Sequence, residues 1–365
     1  MKLKDVCIKG TSNIRQKDVN DSGRYPVYGA AGPVGFMNSF QYDEPYVGVV
    51  KDGAGIGRAT YLPSNSSIIG TMQALIPKKN VLPKYLYYAV SSMHLEKYYS
   101  GATIPHIYFK NYKHERFVLV SKKEQEQIIW RFSLLEKMIS NKQQQLLKLD
   151  ELIKARFVEM FGDPVLNSKK YPEKALANYI NFITSGSRGW SKYLTPKGKA
   201  WFLTIKNVKN SHIAINNIQS VEPPDSKEAQ RTKVKEGDLL ISITADLGRT
   251  GVVSSDIASH GTYINQHLTC IRLDTEFINP VYASYFLESV AGKRQFNSKN
   301  QNGVKAGLNF DAIKSLKIII PPIKKQNSFV SFVRQVDKSK FENIVYLNKT
   351  LSSKILSQIG DVIRD

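Results

Sequence analysis

Between residues 122 and 160 the chain reads KKEQEQIIWRFSLLEKMISNKQQQLLKLDELIKARFVEM. Its apolar residues step by four and three: Ile128, Phe132, Leu135, Ile139, then Leu146, Leu149 and Ile153. That spacing predicts a long helix with a narrow coiled-coil seam rather than a broad amphipathic face. The stretch has no Pro or Gly and is rich in strong helix formers. Lys142 places a polar residue in the seam, a usual device for fixing register at some cost in stability. At about 1.5 Å per residue the rod is about 58 Å long, longer than a small domain is wide. Gly162 and Pro164 supply the stop.

The pattern occurs twice. Residues 323–363 align with it at an offset of 201, so that Gln326 falls on Gln125, Val333 on Phe132, Val336 on Leu135 and Leu347 on Leu146. Lys340 and Asn343 are polar mid-seam residues of the second copy. Upstream the same offset pairs Phe109 with Phe310, Lys113 with Lys314 and Val118 with Ile319. Earlier still it shrinks: Tyr85 pairs with Tyr282, Gln73 with Gln266 and Arg58 with Arg249. The chain is a tandem duplication of a globular unit followed by a long helix, with small insertions in the second copy.

Each unit shows short mixed elements. In the first, 46–62 predicts strand, Gly-rich turn, strand. Residues 67–77 predict a strand pair, 83–100 a helix, and 100–120 a turn, a polar-aromatic loop and a strand. The segment before Arg24 is polar and turn-rich. In the second, 200–210 is strand-like, 234–255 is the counterpart of 46–62, 263–273 of 68–77, and 279–296 of the helix at 83–100. Pro321 and Pro322 end a strand just before the second rod.

Charge narrows the function. The net charge is +21. Residues 1–121 hold 15 Lys/Arg against 8 acids and 161–321 hold 21 against 13; the two helical stretches add only +2 and +4. Two basic units on a spacer suit two contacts on one long polyanion, DNA or RNA. A membrane-binding helix would instead gather the charge on one helix face. No apolar run is long enough to span a bilayer, and the first residues lack a signal-peptide core, so a cytoplasmic location is expected. Two cysteines, Cys7 and Cys270, make neither a disulfide framework nor a thiolate zinc site.

Candidate contacts lie in turns. Gly53-Ala54-Gly55-Ile56-Gly57-Arg58 lacks the spacing of a dinucleotide loop, and Arg58 sits at its end. Ala245-Asp246-Leu247-Gly248-Arg249 keeps the Gly-Arg pair. Such arginines suit bidentate contact with guanine or phosphate, and a purely structural hairpin is the alternative. Ser185 to Trp190 combines small donors with Arg188 and an aromatic ring, and the loops 103–109 and 299–310 carry amides, lysines and aromatics. The expected DNA contacts are Lys51, Arg58, Thr103, His106, Tyr108, Lys110, Ser187, Arg188, Arg249, Lys299, Asn300 and Lys305. Ordinary surface loops are the alternative for each. No Walker A loop, H-E-x-x-H, G-x-S-x-G or amino-methyltransferase tetrapeptide is present, and the six histidines show no metal spacing, so no catalytic or metal site is indicated.

The motifs YPVYGAAG, GDLLISITADLGR, SGSRGWSKY, TIPHIYFKNY and the PP-x-x-x-Q helix start together resemble the specificity subunits of Type I restriction–modification systems over essentially the whole chain. VLVSKKEQ, in the first copy, departs from the double-proline step. The resemblance implies an α+β fold: target-recognition domains at 1–121 and 161–321, separated by antiparallel coiled-coil helices at 122–160 and 322–365 and related by a pseudo-twofold axis. It implies a non-catalytic subunit that binds double-stranded DNA at a bipartite asymmetric site. Its partners would be two methyltransferase subunits and the restriction/translocase subunits, which would carry S-adenosylmethionine, ATP and Mg. No cofactor is expected in this chain. The outer face Trp130, Leu134 and Met138 is the expected docking surface for the methyltransferases. A modification enzyme with an unrecognised site, and a coiled-coil scaffold on an anionic surface, are the alternatives from other classes.

Overall fold

The computed structural model describes residues 1–101, 104–186, 188–300 and 307–346. They form two compact units. One spans Met1–Gln145 and takes up the chain again from Glu342; the other spans Leu146–Phe341.

In the first unit a four-stranded antiparallel sheet has the order Cys7–Gly10, Met72–Pro77, Tyr46–Val50, Ala59–Leu62. Tyr46–Val50 is buried at every position because both faces of the sheet are covered. Val47, Val49 and Leu75 pack with Tyr85, Leu86 and Phe117, and with Ile128 and Phe132 of the long helix. Tyr46, Val50 and Met72 pack on the opposite side with Tyr42, Leu62 and Ile68. A smaller sheet sets Tyr25–Gly29 antiparallel to Gly32–Met37 and parallel to Ser67–Ile68.

Three expectations change here. The polar opening contains an edge strand, Cys7–Gly10, whose partner is distant in sequence. The helix expected over 83–100 stops at Ser91; His94 is left-handed and a 3-10 turn, Leu95–Tyr98, follows. Residues 117–120 form no strand. Only Arg116 bridges Lys2, and the Phe117 N–H donates to the Met1 carbonyl, because the segment beside them turns into the short helix Leu3–Val6.

The second unit repeats the plan. Its four-stranded sheet has the order Ile180–Ser185, Leu268–Leu273, Leu239–Ser242, Thr250–Val252. Its three-stranded sheet sets Ala200–Leu203 antiparallel to Gln219–Val221 and parallel to Tyr263–Ile264. The helix expected over 279–296 is two, Pro280–Glu288 and Val290–Ser298, broken at extended Ser289, whose hydroxyl caps the second. The junction is tight: a Cβ at Gly292 would lie 2.1 Å from the Leu287 carbonyl oxygen. Cys7 and Cys270 are core residues. Burial pushes the Cys7 thiol up to about 12 and raises that of Cys270 as well.

The central helix is Lys122–Phe161 and the C-terminal helix is described over Ile323–Tyr346. Where the prolines are missing, Ser121 and Glu124 form a reciprocal capping box that starts the central helix. Within the second unit Phe157 and Phe161 both meet Phe329, while Asp150 pairs with Lys340 at 2.6 Å, so the helices run antiparallel there. The seam is less uniform than its spacing suggests. Ile128 and Phe132 belong to the core of the first unit, and Ile153, Phe157, Val330, Val333 and Val336 to that of the second. The polar seam residues meet each other: Lys142 donates to the Asn343 side chain at 2.9 Å, and these two are equivalent positions of the duplication.

The duplication extends to single hydrogen bonds. Gln125 and Gln326 are fully buried. Gln125 accepts from the Leu82 N–H and donates to the Asn80 and Val120 carbonyls. Gln326 accepts from the Asn279 N–H and donates to Phe277 and Pro321. Tyr85 donates to the Val118 carbonyl at 2.8 Å, and Tyr282 to Ile319 at 2.9 Å.

Candidate nucleic-acid interface

In each unit the buried central strand ends in a turn, and a distant loop is tied to that turn. In the first unit, Tyr46–Val50 leads into residues 51–58. The Ile107 N–H donates to the Lys51 carbonyl at 2.9 Å, and the Gly53 N–H donates to the Pro105 carbonyl at 2.9 Å. In the second, Leu239–Ser242 leads into 243–249, and the Leu308 N–H donates to the Ile243 carbonyl at 3.0 Å. Ile107 and Leu308 are 201 residues apart, so the same bond forms in both copies. These ties gather residues that are far apart in sequence.

In the first unit they bring together Lys51, His106, Tyr108 and Lys110. His106 Nδ1 lies 2.7 Å from Asp52 Oδ1, and Lys51 Nζ lies 4.0 Å from Asp52 Oδ2. Tyr108 is 49% exposed, stacks against His106 at an interplanar angle of 23°, and has Lys110 Nζ 5.5 Å from its ring centre. A ring and a cation in this arrangement suit both base stacking and phosphate contact. Arg58 is exposed and reaches the Ala30 carbonyl at the tip of the Tyr25–Met37 hairpin. Gly57 makes the turn possible: its φ is +81°, and a Cβ there would lie 2.4 Å from the Glu96 backbone nitrogen.

In the second unit Arg249 ion-pairs with Asp246 inside its own turn, and its N–H donates to Ser242 Oγ at 2.9 Å. The expected counterpart of Arg58 thus already has a carboxylate partner. Gly248 has φ +70° and packs on Phe296. Lys299 and Asn300 follow the helix Val290–Ser298, and Asn300 Oδ1 accepts from the Gly307 N–H at 3.2 Å. Arg188 is exposed at the start of the Gly189-Trp190 turn. Trp190 is buried instead, stacked on Phe202 at 11° and touching Tyr263, so it anchors this loop from the core. Thr103, Ser187 and Lys305 lie outside the described residues.

Sequence reasoning missed five residues at these sites: Asp52, Thr244, Gln266, His267 and Arg231. Asp52 holds His106. Thr244 Oγ1 lies 2.9 Å from His267 Nδ1, and Gln266 Nε2 lies 3.3 Å from His267 Nε2. Arg231 reaches Thr184 Oγ1 from the helix Lys227–Thr232. None stands in a recognisable motif, and apart from the adjacent Gln266 and His267 only the fold brings each beside its partner. On the central helix Trp130 is 67% and Leu134 45% exposed, while Met138 is half-buried. Among the described residues no cluster of three or more metal-ligand side chains occurs, and no helix is long and apolar enough to cross a membrane.

Comparison with known proteins gives the following. The sequence pattern of the family described as Type I restriction modification DNA specificity domain matches residues 1–151 and 173–352. The specificity subunit of the Type I restriction enzyme EcoBI from Escherichia coli is 22% identical over 195 residues, 52% of this chain and 40% of that protein. That of StySPI from Salmonella potsdam is 24% identical over 303 residues, 77% of this chain and 64% of that protein. The chain thus spans less than two thirds of either relative. In fold it is similar to the S subunit of a Type-I restriction-modification system from M. genitalium, with a TM-score of 0.57 at 15% identity, covering 100% of this chain and 96% of that one. It is also similar to a chain from a structure addressing complex assembly and conformational transition of the type I R-M system, with a TM-score of 0.52 at 12% identity, covering 98% and 96%.

Proposed function

Because the chain belongs to the Type I restriction modification DNA specificity family, we propose that it is the sequence-reading subunit of a Type I restriction–modification complex in the cytoplasm. Residues 1–121 and 161–321 act as target-recognition domains, each binding one half of a split double-stranded DNA site. The observation that carries this is the repeated tie between turn and loop. The same backbone bond, Ile107 to Lys51 and Leu308 to Ile243, sets a polar-aromatic loop beside a glycine-containing turn in two basic units. Because the side chains on the two frames differ, the half-sites differ.

In this reading Lys51, Arg58, Thr103, His106, Tyr108 and Lys110 contact one half-site, and Ser187, Arg188, Arg249, Lys299, Asn300 and Lys305 the other. Arg249 exchanges its Asp246 partner for DNA, whereas Arg58 needs only to leave a carbonyl. The long helices set the spacing and dock two methyltransferase subunits through Trp130, Leu134 and Met138, and restriction/translocase subunits complete the complex. S-adenosylmethionine, ATP and Mg belong to those partners, and this chain performs no chemistry itself.

The test is single-molecule sequencing of methylated adenines in DNA from cells with and without this gene. A bipartite methylated motif that appears only with the gene is expected, and identical methylation in both would sink the reading. Replacing Arg58 with Ala should weaken or relax one half-site only, by roughly 1–3 kcal/mol for a bidentate contact. Replacing Arg249 should affect only the other half-site, and by less, since its ion pair with Asp246 must be broken first. Unaltered motifs in both variants would make these arginines structural.

A further inference from the structure

We propose that each unit reads base edges from a histidine whose Nδ1 is pinned by the second residue of the turn: directly from His106, pinned by Asp52, and through the Gln266 amide held by His267, which is pinned by Thr244. Asp52 and Thr244 are then positioning residues. The proposal rests on the DNA-reading function above and deepens it.

Asp52 and Thr244 occupy the same place in the two copies. Each follows the residue whose carbonyl takes the repeated bond, Lys51 or Ile243. Each forms an isolated bridge with the residue before the donor, Asp52 with His106 and Thr244 with Gly307. The histidines arrive by different routes. His106 sits in that bridge itself. In the second unit the bridge residue is a glycine with no side chain to offer, and His267 comes from the turn leading into Leu268–Leu273, with its carbonyl accepting from the Ile243 N–H at 3.0 Å. The same pairing at the same place, reached from two parts of the chain, is unlike a bond inherited with the backbone. Neither ring is a core group. The His106 side chain is 35% exposed, and His267 is half-buried.

The chemistry differs between the copies. A carboxylate only accepts, so Asp52 places the hydrogen of the neutral His106 ring on Nδ1. Nε2 then carries a lone pair and has no partner among the described residues. That suits the exocyclic amine of adenine or cytosine in the major groove. Thr244 can donate or accept and does not settle the tautomer alone. Gln266 does, because its amide nitrogen faces His267 Nε2 at 3.3 Å and donates to it. His267 therefore carries the amide of Gln266, whose oxygen and second N–H have no partner among the described residues and face a base in this proposal. An amide offering one donor and one acceptor matches the N7 and N6 edge of adenine.

The full chain would be used to select from a pool of random-sequence duplex DNA, with the wild type compared with His106→Phe, His267→Phe, Asp52→Ala and Asp52→Asn. His106→Phe should lose the preference for one amino-bearing base in one half-site, with discrimination falling roughly 5- to 100-fold. His267→Phe should do the same in the other half-site only. The untouched half-site reports in each case that the variant is folded. Asp52→Ala should reproduce the His106→Phe motif, and Asp52→Asn, whose amide oxygen still accepts, should restore it. Nitrogen-15 spectra of the rings should show the Nδ1–H form of His106 in the wild type and in Asp52→Asn, and a mixture in Asp52→Ala. Unchanged motifs in both histidine variants would overturn the inference while leaving the DNA-reading function standing. A wild-type chain that selects no bipartite motif would remove both.

Discussion

Gln125 and Gln326 each make three hydrogen bonds with one side chain: an oxygen that accepts one N–H and an amide that donates to two carbonyls. Each sits in the first turn of a long helix and binds the segment ahead of the short helix Pro83–Ser91 or Pro280–Glu288, so it fixes the angle at which the rod leaves its unit. Gln326→Ala strands a buried N–H and two carbonyls and should destabilise the second unit by about 2–4 kcal/mol. Chemical denaturation checks this, and a loss within error of zero would show that water replaces the amide. His212 carries a second prediction. Its Nδ1 lies 2.7 Å from the Asn210 carbonyl and its Nε2 3.0 Å from Asp337 Oδ2, so both bonds need the imidazolium. The hydrogen bond to Asp337 leads in raising its pKa, against the cost of burial and the nearby Lys340 cation. Burial pushes the Asp337 carboxyl up, but His212 and Lys340 outweigh it and hold it low. Lys340 also pairs with Asp150, and the Tyr285 ring lies beside the imidazole. For a raised histidine, the stabilisation is complete below the unfolded value of about 6.5 and is lost as pH rises through the higher folded value. The advantage of the wild type over His212→Ala should therefore shrink across that window. For the lowered Asp337, stability is lost only as pH falls through a value below about 3.9. A wild-type advantage flat from acid to alkaline pH would refute the clamp.

At the scale of elements, the long helices serve both as core and as connection. Ile128 and Phe132 complete one unit and Ile153 and Phe157 the other, which leaves the middle of the rod for polar seam pairs such as Lys142 with Asn343. The middle is therefore the place to lengthen the rod without disturbing a core. Four residues inserted near Asn141 roughly keep the seam in phase and add about 6 Å, close to two base pairs. Two half-sites read on one face of DNA would lie about one helical turn apart, about 10 base pairs, with roughly six or seven unread pairs between them. In the insertion variant the methylated motif should keep its two halves and lengthen its spacer by one or two. A folded, active variant that still methylates only the original spacing would show that the rod is not the ruler.

For the whole molecule, most of the net charge sits on the globular units, and the rod adds exposed apolar side chains of its own. Trp130 and Leu134 are one turn apart on the same helix face, and Met138 continues the line half-buried. Replacing all three with polar residues should abolish co-purification with methyltransferase subunits. The fold should survive because Ile128 and Phe132, which face the core, are untouched. Intact binding by a folded triple variant would place the docking surface elsewhere.

The sequence alone determined the duplication, the two helices, their polar seam positions and the basic character of the units. These are periodic or compositional signals, carried by many residues at once. It also marked Gln125 with Gln326 and Tyr85 with Tyr282 as equivalent, because copies of one module keep the side chains that hold its frame. It did not reveal that Cys7–Gly10 is a strand, since a four-residue edge shows no periodicity and its partner lies about seventy residues away. It placed Trp190 with the polar loop, whereas the ring is buried against Phe202 and Tyr263. The largest difference is at the candidate interface. Asp52 and Thr244 look like ordinary turn residues, and His267 like one more unspaced histidine. Only tertiary structure sets a side chain from one loop within hydrogen-bond distance of another, because that distance depends on how the loops cross and not on how far apart they are in the chain.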